Sequence, residues 1–154
     1  MKKRLLNWAL IALTVVLIHD VMLVLGCLMV KGTVSWDSLK TLVLERLAMP
    51  GDAPRYLQIA REGYVTEGTD AINLVFYPLY PFLMRIFSFG VLDLAAVGMA
   101  ISRLSLMGAG IALYELIKVN SDEEAAWTGV LMMAVYPFSM FTVGVYTESL
   151  FLFL

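Results

Sequence analysis

Apolar residues fill this chain in long runs, broken at only a few points by charge or proline. The first run extends from Leu5 to about Val30 and follows a compact basic start, Met1-Lys2-Lys3-Arg4. It is about twice the roughly 7–15 residues of a signal-peptide core and lacks a clean small-x-small cleavage site. We read it as a retained first membrane span (residues 5–30). The positive-inside rule then places the N-terminus in the cytoplasm.

Lys31 to about Ile72 is mixed in charge and is expected on the opposite side, as an extracytoplasmic loop over residues 31–72. Within it Trp36, Leu39, Leu42, Val43 and Leu47 recur at helical spacing. That pattern predicts an amphipathic interfacial helix over Ser35–Leu47. Pro50-Gly51-Asp52 breaks it. Pro54 suits the first turn of a second helix and Gly63 its C-terminal stop. Tyr56, Ile59 and Ala60 would share one face of that helix, and Arg55, Gln58 and Glu62 another.

The segment 73–90 is apolar and aromatic but carries Pro78, Pro81 and Arg85, so it is either a kinked span or a re-entrant segment. Residues 94–117 read as a span rich in alanine and glycine, suited to close helix packing. Lys118–Glu124 is a polar hairpin, and 125–143 reads as a further span. Val145-Tyr146-Thr147-Glu148 interrupts the apolar pattern before residues 149–154 begin another run. Phe151-Leu152-Phe153-Leu154 is too short to cross a bilayer, and we expect the chain to be the N-terminal portion of a longer one.

Composition settles the class. Of 154 residues, 60% are hydrophobic and 16% charged, against roughly 45–50% and 25% in soluble domains. The expected fold is all-α, a polytopic membrane helix bundle with amphipathic helices in its first external loop. The net charge of −2 comes with no basic cluster, so no nucleic-acid partner is expected. Cys27 is the only cysteine and His19 the only histidine, which excludes an internal disulfide and any multi-histidine metal site. Phosphate-loop, HExxH, Cys-x-x-Cys and Gly-x-Ser-x-Gly patterns are absent, against nucleotide-binding, zinc-protease and serine-hydrolase readings. No metal and no cofactor are expected.

A few polar residues call for explanation. Asp52 precedes a helix, where a carboxylate stabilises the N-terminal dipole by about 0.3–1 kcal/mol; alternatively it is a general base at the membrane surface. Arg55 and Arg61 are either solvated charges or a clamp for phosphate, which guanidinium can bind through two bonds. Arg85 and Arg103 fall in apolar surroundings, where an arginine at mid-bilayer costs at least about 2.5–3.5 kcal/mol. Arg85 is expected to snorkel to the cytoplasmic end of its segment. Asp20, beside His19 in the first span, is either half of a functional ionisable pair or a structural partner of Arg103. Glu148 is either a span boundary or the wall of a site.

One family carries a matching set of residues. Asp52-Ala53 … Tyr56 … Ile59-Ala60 … Gly63-Tyr64, then Asn73-Leu74-Val75-Phe76-Tyr77-Pro78-Leu79-Tyr80-Pro81 … Arg85, resembles the PIG-V type mannosyltransferases, the glycosylphosphatidylinositol mannosyltransferase 2 family and its prokaryotic relatives within the GT-C glycosyltransferases. Tyr136-Pro137-Phe138-Ser139 … Tyr146-Thr147-Glu148-Ser149-Leu150-Phe151 looks like a further block. These ordered blocks cover most of residues 51–151. Gly51 stands where the family usually has tryptophan, and Arg55 where an apolar or aromatic residue is common.

The resemblance implies a GT-C-like enzyme that takes mannose from a polyprenyl- or dolichyl-phosphate donor to a glycan or glycolipid acceptor outside the cytoplasm, inverting the anomeric centre. Asp52 would be the base. Tyr56, Tyr64, Tyr77, Tyr80, Arg85 and Glu148 would face substrate; that Arg55 or Arg61 would hold the phosphate is inferred from guanidinium chemistry and is not part of the family pattern. Fold analogy favours full crossing by segment 73–90, which sends Glu148 to the cytoplasmic side. Competing readings are a non-catalytic membrane scaffold or degenerate paralogue, and a small transporter subunit using His19, Asp20 and Arg103. A GT-C site needs later helices to close it, so the 154 residues alone are expected to be inactive.

Overall fold

Residues 2–136 and 139–154 are described by the computed structural model, which is helical throughout, with no strand among the described residues. The first apolar run forms one helix, α1, over Lys2–Lys31. Its buried residues, Ile11, Val15, His19 and Cys27, recur at multiples of four and so lie along one stripe. Leu6, Leu13 and Leu17 face outward. Thirty residues at 1.5 Å each span about 45 Å, more than the bilayer's hydrocarbon core of about 30 Å.

The second helix of that length, α5 (Leu94–Asn120), runs antiparallel to α1. Arg4 meets Glu115 at 3.1 Å near one end, and Asp20 meets Arg103 at 2.7 Å further along. Small buried residues of α5, among them Gly98, Ser102, Ala109 and Gly110, let its neighbours approach closely, as the glycine- and alanine-rich sequence implies. Asp93 starts the helix by accepting a hydrogen bond from the Ala96 amide at 2.9 Å. α1 and α5 are both long and apolar enough to cross a membrane.

The loop between them folds against the pair. α2 (Trp36–Val43) opens with a capping box in which Ser35 and Ser38 satisfy each other's backbone amides, and it continues as a π-helical turn over Leu44–Ala48. Leu42 and Leu47 of the expected apolar face are buried, while Trp36 is 80% exposed. α3 (Ala53–Glu62) buries Ala53, Tyr56, Ile59 and Ala60, the face its periodicity predicts. It stops at Gly63, whose positive φ of 87° is open to glycine at little cost.

A 3₁₀ turn over Thr69–Val75 leads into α4 (Leu79–Ser88), and the two axes differ by 104°. Pro78 accounts for the break, because proline has no amide hydrogen and disfavours helix at the residue before it. The bent pair qualifies as a third membrane segment only if counted as one broken span. α6 (Glu123–Val135) has thirteen residues, about 20 Å, and is not the span over 125–143 that hydropathy suggests. Tyr136 turns to ψ 136° just before Pro137, so the same proline rule shortens it. A 3₁₀ turn at Ser139–Thr142 and the short α7 (Glu148–Phe153) complete the chain, and α5 packs against α1, α4, α6 and α7.

Candidate active site

Asp52 occupies the N-cap position of α3, yet its side chain makes no capping hydrogen bond and is exposed. Its carboxylate is therefore uncommitted. Pro50-Gly51 shapes the approach to it. Gly51 has a φ of +57°, and a Cβ there would lie 3.1 Å from the Tyr146 hydroxyl. A tryptophan at this position would be strained and would displace Tyr146.

The segment Val145–Glu148 closes over α3 from almost a hundred residues away. The Val145 amide donates to the Leu47 carbonyl at 2.7 Å, and the Tyr146 hydroxyl to the Pro50 carbonyl at 2.6 Å. The Tyr56 hydroxyl lies 3.3 Å from that of Thr147. Asp52 and Glu148 thus share one neighbourhood. Partial burial raises the Glu148 pKa above its ordinary value, and the negative charge of Asp52 raises it further. Tyr146 is shifted upward by burial, then by the same two carboxylates.

Thr147 meets Tyr56 at 3.3 Å, so the Glu148 segment lies beside Asp52; the 104° bend between Thr69–Val75 and α4 is that of a broken span or of a re-entrant loop. Arg85 is exposed and lines a cavity of about 410 Å³ together with Arg61 of α3. Arg61 stands nine residues along α3 from Asp52, about 13 Å by helical rise. Arg55 is only three residues on and shares the Asp52 side of the helix. It pairs with Asp70 at 3.6 Å, both partners being more than 40% exposed, a contact worth little in water.

The predicted tyrosines divide by role. Tyr80 is 1% exposed; its one hydroxyl hydrogen is shared between the Gly98 carbonyl at 2.9 Å and the Ser102 hydroxyl oxygen at 2.8 Å. Ser102 in turn donates to the Tyr146 carbonyl at 3.2 Å. Tyr80 thus holds α4 and the Tyr146 segment to α5. Tyr56 packs edge-on against Phe76 and Tyr80, with ring centroids 5.1 and 5.5 Å away. Tyr64 donates to the Phe76 carbonyl at 2.8 Å, and Tyr77 is 83% exposed. Tyr77, Tyr80, Thr147 and Glu148 all line a cavity of about 530 Å³.

Tyr146 and Thr147 immediately precede Glu148 in the sequence and complete the site. Ser102 carries no sequence signal, since it reads as one more small residue of a span. Pro137 and Phe138 of the further motif block lie outside the described residues. Among the described residues no cluster of three or more histidine, cysteine or acidic side chains could hold a metal. Comparison with family models, curated proteins and solved structures finds no match to this chain. The likeness to the PIG-V type mannosyltransferases therefore rests on the motif residues alone.

Proposed function

We propose that this chain belongs to a multi-pass, GT-C-like membrane glycosyltransferase that moves mannose from a polyprenyl- or dolichyl-phosphate donor to a glycan or glycolipid acceptor. The observation that carries the reading is the meeting of Asp52 with Tyr146-Thr147-Glu148. Two of the three motif blocks thereby share one wall, and the Tyr56–Phe76–Tyr80 aromatic group stands behind it.

In this reading the acceptor hydroxyl gives its proton to Asp52 as its oxygen attacks the anomeric carbon. The bond from that carbon to the phosphate oxygen breaks, and the lipid phosphate leaves with the electron pair. Arg55, beside Asp52, meets the leaving charge. Glu148 receives sugar hydroxyls, and Tyr77 and Tyr64 border the entry. The site lies towards the N-terminal end of α5, away from Lys2, Lys3, Arg4 and Lys118. With that basic end cytoplasmic, the site faces outward.

The test is mannosyl transfer from polyprenyl-phosphate mannose by the full reading frame carrying Asp52→Asn. Loss of a general base predicts a fall of about 10²–10⁴-fold in rate. Undiminished transfer would show that Asp52 is not the base. An Asp20–Arg103 pair closed at 2.7 Å is what a structural tie between α1 and α5 requires, and it favours that role over an ion path.

A further inference from the structure

α4 is apolar on two faces, and the protein covers only one of them. Tyr80, Met84 and Ser88 recur every four residues and are buried. Leu79, Phe82, Ile86 and Phe89 recur every three or four and form a second stripe that stays exposed, Phe82 at 58% and Phe89 at 75%. Val91 and Leu92 carry the exposed apolar surface into the turn before α5. A helix that is apolar all round belongs in a core or in a bilayer.

The turn points the same way. Phe89 has a φ of 50°, in the left-handed region where glycine or asparagine usually closes a helix, and Gly90 follows at 72°. That conformation costs a residue with a Cβ about 1–2 kcal/mol. The exposed Phe89 ring gains little from the protein in return, so its gain must come from what surrounds the protein.

The long helices set the depth of the stripe. α4 runs back along the first turns of α5: Tyr80 meets Gly98 and Ser102, Met84 lies against Gly98, and residues 89–93 reverse the chain before α5 starts at Leu94. Ser102 is eight residues, about 12 Å, along α5 from Leu94. A hydrocarbon core of about 30 Å centred on the roughly 40 Å of α5 begins about 5 Å past Leu94. The Tyr80 end of α4 therefore reaches about 7 Å into the core, while Phe89 and Val91 stay at headgroup level. At that shallow end Arg61 and Arg85 line their cavity with Gly90 and Leu94, and no acidic side chain lines it.

The pairing of α1 with α5 sets the topology. The two are antiparallel, tied by Arg4 to Glu115 and by Asp20 to Arg103. With both across the bilayer, residues 32–93 leave and return on one face. α4 is about 15 Å long, half the core, and meets the preceding turn at 104°.

We propose that residues 69–92 form a re-entrant segment. α4 dips into the leaflet away from Lys2-Lys3-Arg4 and returns to the same face, with Leu79, Phe82, Ile86 and Phe89 against the acyl chains of that leaflet. Lipid is the occupant because the stripe lies alongside a membrane-length helix whose own Leu104, two residues past Ser102, is exposed. The unbalanced arginines at its shallow end match the anionic phosphates of the headgroups. The proposal stands whether or not the chain transfers sugar.

The test uses the full chain in sealed phosphatidylcholine–phosphatidylglycerol vesicles with one orientation in excess. Cys27 is fully buried, so single cysteines can be added without removing it, and the unaltered chain supplies the blank. A membrane-impermeant maleimide should label Glu67→Cys and Val91→Cys to the same fraction, and Asn120→Cys to the complementary one. Spin labels at Leu17→Cys, Phe82→Cys, Phe89→Cys and Glu67→Cys are then compared for collision with oxygen, which concentrates in the bilayer, and with a water-soluble nickel chelate. The oxygen-to-nickel ratio should fall in the order Leu17, Phe82, Phe89, Glu67. Complementary labelling of Glu67→Cys and Val91→Cys would mean a full crossing and overturns the proposal. A ratio at Phe82 equal to that at Glu67 puts the stripe in water, and shielding of Phe82 from both reagents puts it under protein, such as a second copy of the chain; either result also overturns it.

Discussion

Replacing Tyr80 by phenylalanine isolates one hydroxyl at the junction of α4, α5 and the segment that brings Glu148 to Asp52. The ring fills the same space, so no cavity forms. What disappears is a buried oxygen with partners at 2.9 Å on Gly98 and 2.8 Å on Ser102. The losses are cushioned on both sides. The Gly98 carbonyl keeps its place in the α5 ladder, and Ser102 keeps its bond to the Tyr146 carbonyl at 3.2 Å. No partner is left wholly unsatisfied, so the cost should be near the net worth of an intramolecular hydrogen bond, about 1–1.5 kcal/mol. Ser102→Ala should cost a similar amount, about 1 kcal/mol, and more of its effect should fall on the Tyr146 segment. In the double variant the shared bond is lost only once, so the two costs should fall short of additivity by about 0.5–1 kcal/mol. Equilibrium unfolding in mixed micelles of dodecyl maltoside and dodecyl sulfate, followed by far-ultraviolet circular dichroism, measures all four corners of the cycle. Strict additivity, or a Tyr80→Phe cost below about 0.3 kcal/mol, would refute the placement of this hydroxyl between the three segments.

Three more outcomes follow from the same geometry. Gly144→Ala should destabilise the fold by about 1–3 kcal/mol as an overpacked site, because its Cβ would meet the Leu47 carbonyl oxygen at 2.8 Å and the Tyr146 ring at 2.9 Å; a lowered unfolding midpoint in the same assay checks it. For Glu148 the raised pKa means the fold prefers the neutral acid. The associated stability is fully present below the ordinary glutamate value and is lost as pH rises through the raised one. Glu148→Gln should flatten that dependence, and Asp52→Asn should move the Glu148 carboxyl titration, followed by its infrared band, downward. Asp20→Asn strips Arg103 of its carboxylate. Unfolding from lipid bicelles should then cost at least about 2.5 kcal/mol if the pair sits at membrane depth, against under about 1 kcal/mol for a pair in water.

The sequence by itself determined the elements whose causes are local. A near-continuous apolar run is helical and long because no residue within it breaks the pattern, which is why α1 follows its hydropathy closely. Pro54 and Gly63 bound α3 through backbone geometry alone, and the buried face of α3 follows from the 3.6-residue period. The motif residues Asp52, Tyr56 and Glu148 were legible as chemistry for the same reason: each is a polar group placed where an apolar pattern pauses.

Only the tertiary structure decided which of these residues meet. Hydropathy measures how much apolar surface a segment carries, not the direction in which it leaves its predecessor. Pro78 announces a break, but the 104° turn is set by how α4 packs on α5 through Tyr80, Gly98 and Ser102. The packing of α4 and α7 on α5 sets Thr147 and Glu148 beside Asp52 and Arg85 beside Arg61. The length of α6 was misjudged because an apolar stretch looks the same to hydropathy on either side of the residue where Tyr136 leaves the helix. The antiparallel pairing of α1 with α5 rests on contacts between residues far apart in the chain, Arg4 with Glu115 and Asp20 with Arg103. Their convergence is a property of packing, and no spacing within one element encodes it.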